Sequence, residues 1–192
     1  MRICLVRHGQ TDWNKKLLIQ GHTDNPLNEI GIEQAKLSAK YLMNNLSKWD
    51  IVITSPLQRA KHTGEIIHQA LKLENEILIN EAFIERDFGQ ADGKKIAIWW
   101  PKVKNGEISN CETDEAIQSR TMNEINNLLK DYKGKNVLIT AHSQSIKAIL
   151  SSIAPEKISF STKLKNACLN IIEHKDDQWS IVEFNVSDHI TE

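Results

Sequence analysis

Ile3 to Val6 is a run of four apolar residues closed at once by Arg7, His8 and Gly9. A run this short reads as a buried strand, and the glycine behind it permits a sharp turn, so a histidine is delivered to a strand's carboxyl end. In open α/β sheets that edge is where ligands bind. The pattern recurs late in the chain. Asn136 to Ala141 suits the centre of a parallel sheet and delivers His142 just before Ser143-Gln144-Ser145 opens a helix. The start of a helix has free N–H groups and a positive dipole, which makes it a ready anion site.

The intervening chain supplies the other elements of an α/β fold. Residues 15–27 lack apolar periodicity and are expected as a loop over the first site residues. Asn28 caps a helix whose inner face is Ile32, Ala35, Ala39, Leu42 and Leu46. Asp50 to Thr54 is a second strand, and Ser55-Pro56-Leu57-Gln58 reads as a capping box with proline at the first helical position. The stripe of that helix is Leu57, Ala60, Gly64, Ile67 and Leu71, with Arg59 off it and free to reach across the strand ends. A helix over Asp114 to Lys133 carries Ile117, Thr121, Ile125, Leu128 and Leu129, and Gly134 stops it. Ala167 to Ile172 and Trp179 to Asn185 alternate like an antiparallel pair around the turn Lys175-Asp176-Asp177-Gln178. The expectation is a three-layer α/β sandwich: a mostly parallel central sheet, helices on both faces and a small excursion over the active site. Residues 1–192 are taken as one domain, with 89–113 as a partial cap. Within that excursion, Trp99-Trp100 is either a core anchor or a wall for an apolar leaving group, and Lys94, Lys95, Lys102 and Lys104 form a basic cluster near the entrance.

Charge removes several function classes. Lys plus Arg 24 against Asp plus Glu 25 gives a formal charge of −1, which offers no global field for nucleic acid or an anionic membrane. No targeting segment or spanning stretch is legible, so the expected location is cytoplasmic. Cys4, Cys111 and Cys168 lie far apart with no C-x-x-C spacing, so neither a disulfide framework nor a metal site is expected. No cofactor is expected either. The expected partner is a small phosphorylated metabolite, and a homodimer stays open. His22, His62, His68 and His174 are expected at the surface, and His189 in a structural role.

Two arginines and two histidines around one point suit phosphoryl transfer, where a dianion must be neutralised and its equatorial oxygens stabilised. From the residues alone, either histidine serves as nucleophile. The attacking imidazole must be neutral with its other nitrogen fixed, and the Gly9 turn offers a carbonyl for that purpose.

The motifs decide further. Arg7-His8-Gly9-x-Thr11-x-x-Asn14 is followed by Gln20-Gly21-x-x-Asp24-x-Pro26-Leu27, then Gly31-x-x-Gln34-Ala35 and Ser55-Pro56-Leu57-x-Arg59-Ala60-x-x-Thr63. Glu85-x-x-Phe88-Gly89, Glu112, Arg120, Ala141-His142 and Asn185-x-x-Asp188-His189 complete the order. The whole chain thereby resembles the histidine phosphatase superfamily, which includes the cofactor-dependent phosphoglycerate mutases. The resemblance implies a metal-independent phosphatase acting on small phosphomonoesters through a phosphohistidine on His8. It implies Arg7 and Arg59 as phosphate clamps, His142 as donor to the phosphoryl group and Glu85 as acid and base. Asn14, Gln20, Gly21 and Ser143 carry over as substrate- or phosphate-binding positions. Three departures stand out: Leu18 where phosphatase members often have arginine, Ser143 where a glycine is common, and Cys111 where a glycine often precedes the glutamate. The Ser143 Cβ is expected to crowd the approach of backbone N–H groups to phosphate. Phosphoglycerate mutase is the alternative, disfavoured by the short stretch between Glu85 and Glu112. A phosphate-ligand binding domain with lost turnover is the second alternative.

Overall fold

The computed structural model describes residues 1–45 and 48–190. Its frame is a six-stranded sheet ordered β3-β2-β4-β1-β5-β6. The strands are β1 (Arg2–Arg7), β2 (Ile51–Thr54), β3 (Leu78–Ile79), β4 (Val137–Ala141), β5 (Leu169–Lys175) and β6 (Gln178–Val186). Six α-helices accompany them among the described residues: α1 (Asp12–Lys15), α2 (Glu29–Asn45), α3 (Gln58–Leu71), α4 (Ile96–Lys104), α5 (Asp114–Asp131) and α6 (Ser143–Ile153).

The sheet is mixed. β3, β2, β4 and β1 run parallel to one another, whereas β5 is antiparallel to both β1 and β6. Strand side chains alternate between faces, so Ile3 and Leu5 of β1 join a core with α5 and α6, while Cys4 and Val6 join another with α2 and α3. Burial on both faces is why this strand is apolar at every position. Each such side chain contributes about 1.5–3 kcal/mol by leaving water. The result is the expected three-layer arrangement, with more antiparallel pairing than expected.

Register then places the site. Arg7 lies opposite Ala141, and Thr54 lies opposite Thr140, so β1, β2 and β4 end level. His8, Ser55 and His142 therefore emerge side by side from segments remote in sequence.

Local expectations fared unevenly. Asn28 Oδ1 accepts from the Gly31 amide at 2.9 Å, as a capping residue does. Ala35, Ala39 and Leu42 face the core of α2, and Leu46 lies outside the described residues. The Ser55 capping box did not form. α3 begins at Gln58, whose amide donates to Asp24 Oδ1 at 2.7 Å, while Ser55 Oγ lies 2.7 Å from His142 Nε2 and, of the nearby backbone amides, accepts only that of Leu57 at 3.4 Å. Arg59 was placed off the stripe but is fully buried on it, beside Ala60, Thr63 and Ile67. α5 ends at Asp131, before Lys133. Asp176 and Asp177, with φ of 50° and 59°, form the two-residue turn of the β5–β6 hairpin. Residues 89–113 contain α4, whose Val103, with Trp99 and Trp100, packs on Ile19, Phe88 and Ala91.

Candidate active site

His8 continues β1, its amide donating to the Ala141 carbonyl at 3.0 Å. Its side chain is 2% exposed, and Nδ1 is 2.7 Å from the Gly9 carbonyl. A carbonyl only accepts, so Nδ1 carries the proton and Nε2 carries the lone pair. Gly9 is itself held: its amide donates to Thr63 Oγ1 at 3.2 Å, and that hydroxyl donates to the Arg59 carbonyl at 2.7 Å. A Cβ on Gly9 would stand 2.2 Å from the Gly31 carbonyl oxygen, so the turn can pack against α2 only as glycine. Burial, followed by the charges of Arg59 and Arg7, holds the His8 imidazole well below its ordinary 6.5. It is neutral at physiological pH, with Nε2 unpartnered among the described residues.

His142 packs behind His8, the ring centroids 5.3 Å apart. Both its nitrogens are taken by protein groups. Nδ1 accepts from Arg59 Nε at 3.2 Å, which leaves the proton on Nε2 for Ser55 Oγ. His142 is not among the residues that line the cavity in front of His8. Arg59 is held by protein groups in the same way. Its guanidinium is bonded to the Thr23 carbonyl at 3.0 Å and the Gly21 carbonyl at 2.8 Å, so it is no freely reaching fork. Burial lowers it to about 10, which leaves its charge intact at neutral pH.

Glu85 is 4% exposed, and its carboxylate sits at the start of α6. Oε1 accepts from the amides of Arg86, Gln144 and Ser145 at 2.9, 3.1 and 3.2 Å, while Oε2 has one long contact, 3.3 Å from the Gln144 amide. The helix terminus that the sequence offered to a free anion is thus occupied by this side chain. Arg120 makes a paired bond to Glu112 and donates to the Ala82 and Glu85 carbonyls, which gives both late motif residues the task of holding the Glu85 segment.

A cavity of about 550 Å³ opens in front of His8, and Arg7, Asn14, Gln20, Glu85, Ser143, Gln144, Lys147 and Asn166 also line it. Arg7 donates to the Leu164 carbonyl at 2.6 Å, and its buried Nε has no partner among the described residues. Asn14 Oδ1 accepts from the Thr11 amide and from Asn166 Nδ2, both at 3.1 Å, leaving its own amide donor available. Gln20 Oε1 accepts from Thr11 at 2.8 Å. Gly21 is not on this wall: its amide donates to Asp92 and its carbonyl accepts from Arg59, so it supports the arginine from behind. A second cavity, about 660 Å³, lies at the amino end of β2 among Trp49, Asp50 and Leu71, away from both histidines.

A family model described as histidine phosphatase superfamily (branch 1) matches residues 3–187. The chain belongs to this superfamily. Among the relatives of this chain is the protein named uncharacterized phosphatase PhoE from Bacillus subtilis (strain 168). It is 40% identical over 192 residues, covering 98% of this chain and 96% of the relative. A 2,3-bisphosphoglycerate-dependent phosphoglycerate mutase from Rhizobium meliloti (strain 1021) is 31% identical over 175 residues, covering 81% and 82%. Among solved structures, a phosphoserine phosphatase from Entamoeba histolytica in complex with 3-phosphoglyceric acid superposes with a TM-score of 0.84. It shares 25% identity and is covered over 99% of each chain.

The three departures from the superfamily's pattern have distinct outcomes in this chain. Leu18 is bridged to Lys95 and lines the cavity as an apolar group. Ser143 stands at the wall of an open cavity and does not block it. Cys111 lies away from the cavity, its thiol directed at the Glu112 carbonyl. Trp100 lines the cavity, whereas Trp99 carries Lys102 at 4.9 Å and Lys94 at 5.6 Å over its ring. None of the four cap lysines reaches the cavity; Lys147, Lys163 and Lys165 do. Sequence reasoning missed Ser55 as a histidine partner, Asn166 and Lys147. Only Lys147 left a signal, as a charge among the otherwise apolar Ile146, Ala148, Ile149 and Leu150.

Proposed function

We propose that the protein hydrolyses small phosphomonoesters through a covalent phosphohistidine on His8. The observation that carries this reading is the fixed His8 tautomer, with Nδ1 spent on Gly9 and Nε2 left at the cavity. In the first step Nε2 attacks phosphorus, the P–N bond forms, the P–O bond to the leaving group breaks, and Glu85 gives that oxygen a proton. In the second, water attacks phosphorus, Glu85 takes its proton, and P–N cleavage frees phosphate and restores the imidazole. Arg7 and the Asn14 amide meet the phosphoryl oxygens, with the Arg59 charge directly behind His8. His142 acts in this scheme by orienting Arg59. Gln20 and Ser143 complete the wall. Phosphatase names among the relatives support hydrolysis, and the open cavity admits the water that a mutase must exclude.

Purified protein incubated with p-nitrophenyl phosphate in EDTA tests the reading. Turnover that survives the chelator, with acid-labile phosphate trapped on His8, is the expected result. Activity that appears only with a bisphosphoglycerate primer overturns it in favour of the mutase.

A further inference from the structure

Lys147 lies one turn after Ser143 on α6, on the face that lines the cavity, and the residue is 5% exposed. Lysine is rarely buried without a counter-charge. Here the ammonium donates to the Phe160 carbonyl at 2.7 Å and lies 6.0 Å from the centre of the Trp100 ring, which uses one of its three N–H groups. Among the described residues no carboxylate stands within ion-pairing distance of it. The carboxylate that acts on it most, Glu85, is already engaged by three backbone amides, and Arg7 and Arg86 repel it. Burial pushes it down to about 8, so it remains mostly charged at neutral pH. An apolar side chain of the same length would fit such a site at lower cost. Nothing in the fold therefore explains the charge.

The cavity offers an explanation. At about 550 Å³ it extends well past the room one tetrahedral phosphate needs beside Arg7 and His8. The neighbouring Gln144 has a buried Oε1 with no partner among the described residues, so this part of the wall holds a donor and an acceptor, both unmatched by protein. Lys163 and Lys165 also line the cavity but are exposed, so its buried part holds one ammonium with two unassigned N–H groups, which matches a single monoanion in charge, whereas bidentate recognition of a second phosphate favours guanidinium.

We propose that Lys147 is a specificity-determining residue that receives a carboxylate on the leaving group, making phosphorylated carboxylic acids the preferred substrates. The proposal rests on the phosphatase reading above. A site built around a buried polar group rejects the analogue that leaves that group unpaired.

The test is kcat/KM for O-phosphoserine against O-phosphoethanolamine, which lacks only the carboxylate, in the native protein and in Lys147→Met, Lys147→Gln and Lys147→Arg. p-Nitrophenyl phosphate serves as the reference ester. The native protein should favour phosphoserine by tenfold or more. Lys147→Met and Lys147→Gln should erase that ratio through KM while leaving phosphoethanolamine within about twofold, and Lys147→Arg should restore part of it. A native ratio near one, or equal losses on both esters, overturns the proposal, and the second outcome makes Lys147 an anchor for the Phe160 loop. If Lys147→Met fails to fold, the Lys147→Gln ratio decides. Absence of turnover on all three esters in the native protein defeats the phosphatase reading itself and this proposal with it.

Discussion

Glu85→Gln separates the structural task of this side chain from the acid and base task proposed for it. Oε1 alone takes the three short amide contacts at the start of α6, and a glutamine can keep its carbonyl oxygen there. The position of Oε2, which bears only the 3.3 Å contact, becomes an NH₂ group. The structural loss is the difference between charged and neutral acceptors, plus the interaction of a carboxylate with the helix dipole, together about 1–3 kcal/mol. For a chain of this size that lowers the thermal midpoint by roughly 2–12 °C, and the protein stays folded. The chemical loss is different in kind. Without a proton on offer, esters of poor leaving groups should slow by about 10²–10⁴, whereas p-nitrophenyl phosphate, whose phenolate leaves unaided, should slow little in its first step. The assay is kcat/KM for p-nitrophenyl phosphate and an alkyl phosphate side by side, with calorimetry on the same samples. Equal losses on the two esters would refute the acid role, and an unfolded variant would refute the reasoning about Oε1.

Further expectations follow from the same geometry. His8→Ala should eliminate turnover and leave the circular dichroism spectrum unchanged; appreciable residual rate in the purified variant would assign the bond-forming atom elsewhere. Ser55→Ala strips the buried His142 Nε2 of its partner, so a cost of about 1–3 kcal/mol and a reduced kcat are expected. An unaltered denaturation midpoint and rate would show that the hydroxyl fixes nothing. The two histidines also set an acid limit. Both are depressed by burial and by Arg59, so below 6.5 the unfolded chain binds protons that the folded one refuses. Stability is therefore complete above 6.5 and is lost as pH falls below it, by up to about 1.4 kcal/mol per pH unit for each histidine. Urea titrations at pH 5 to 8 that give a flat stability, or the opposite slope, would contradict the neutral assignment.

The sequence by itself determined the strands, the arginine and histidine at the end of the first, and the cap at Asn28. Each is local: an apolar run, a glycine that permits a sharp turn behind it, a side-chain amide that reaches three residues along. Runs and periodicity state which residues are buried, not which groups meet inside. So Ser55 was read as a helix cap although its hydroxyl meets His142, 87 positions away. The helical stripe leaves Arg59 off it and free to reach across the strand ends, although Gly21, Thr23 and His142 hold its guanidinium. Glu85 fills the anion site that the start of α6 had advertised. Only tertiary structure decided these, because a buried polar atom takes whichever partner the packed sheet brings within three ångströms, and local alternatives lose to it.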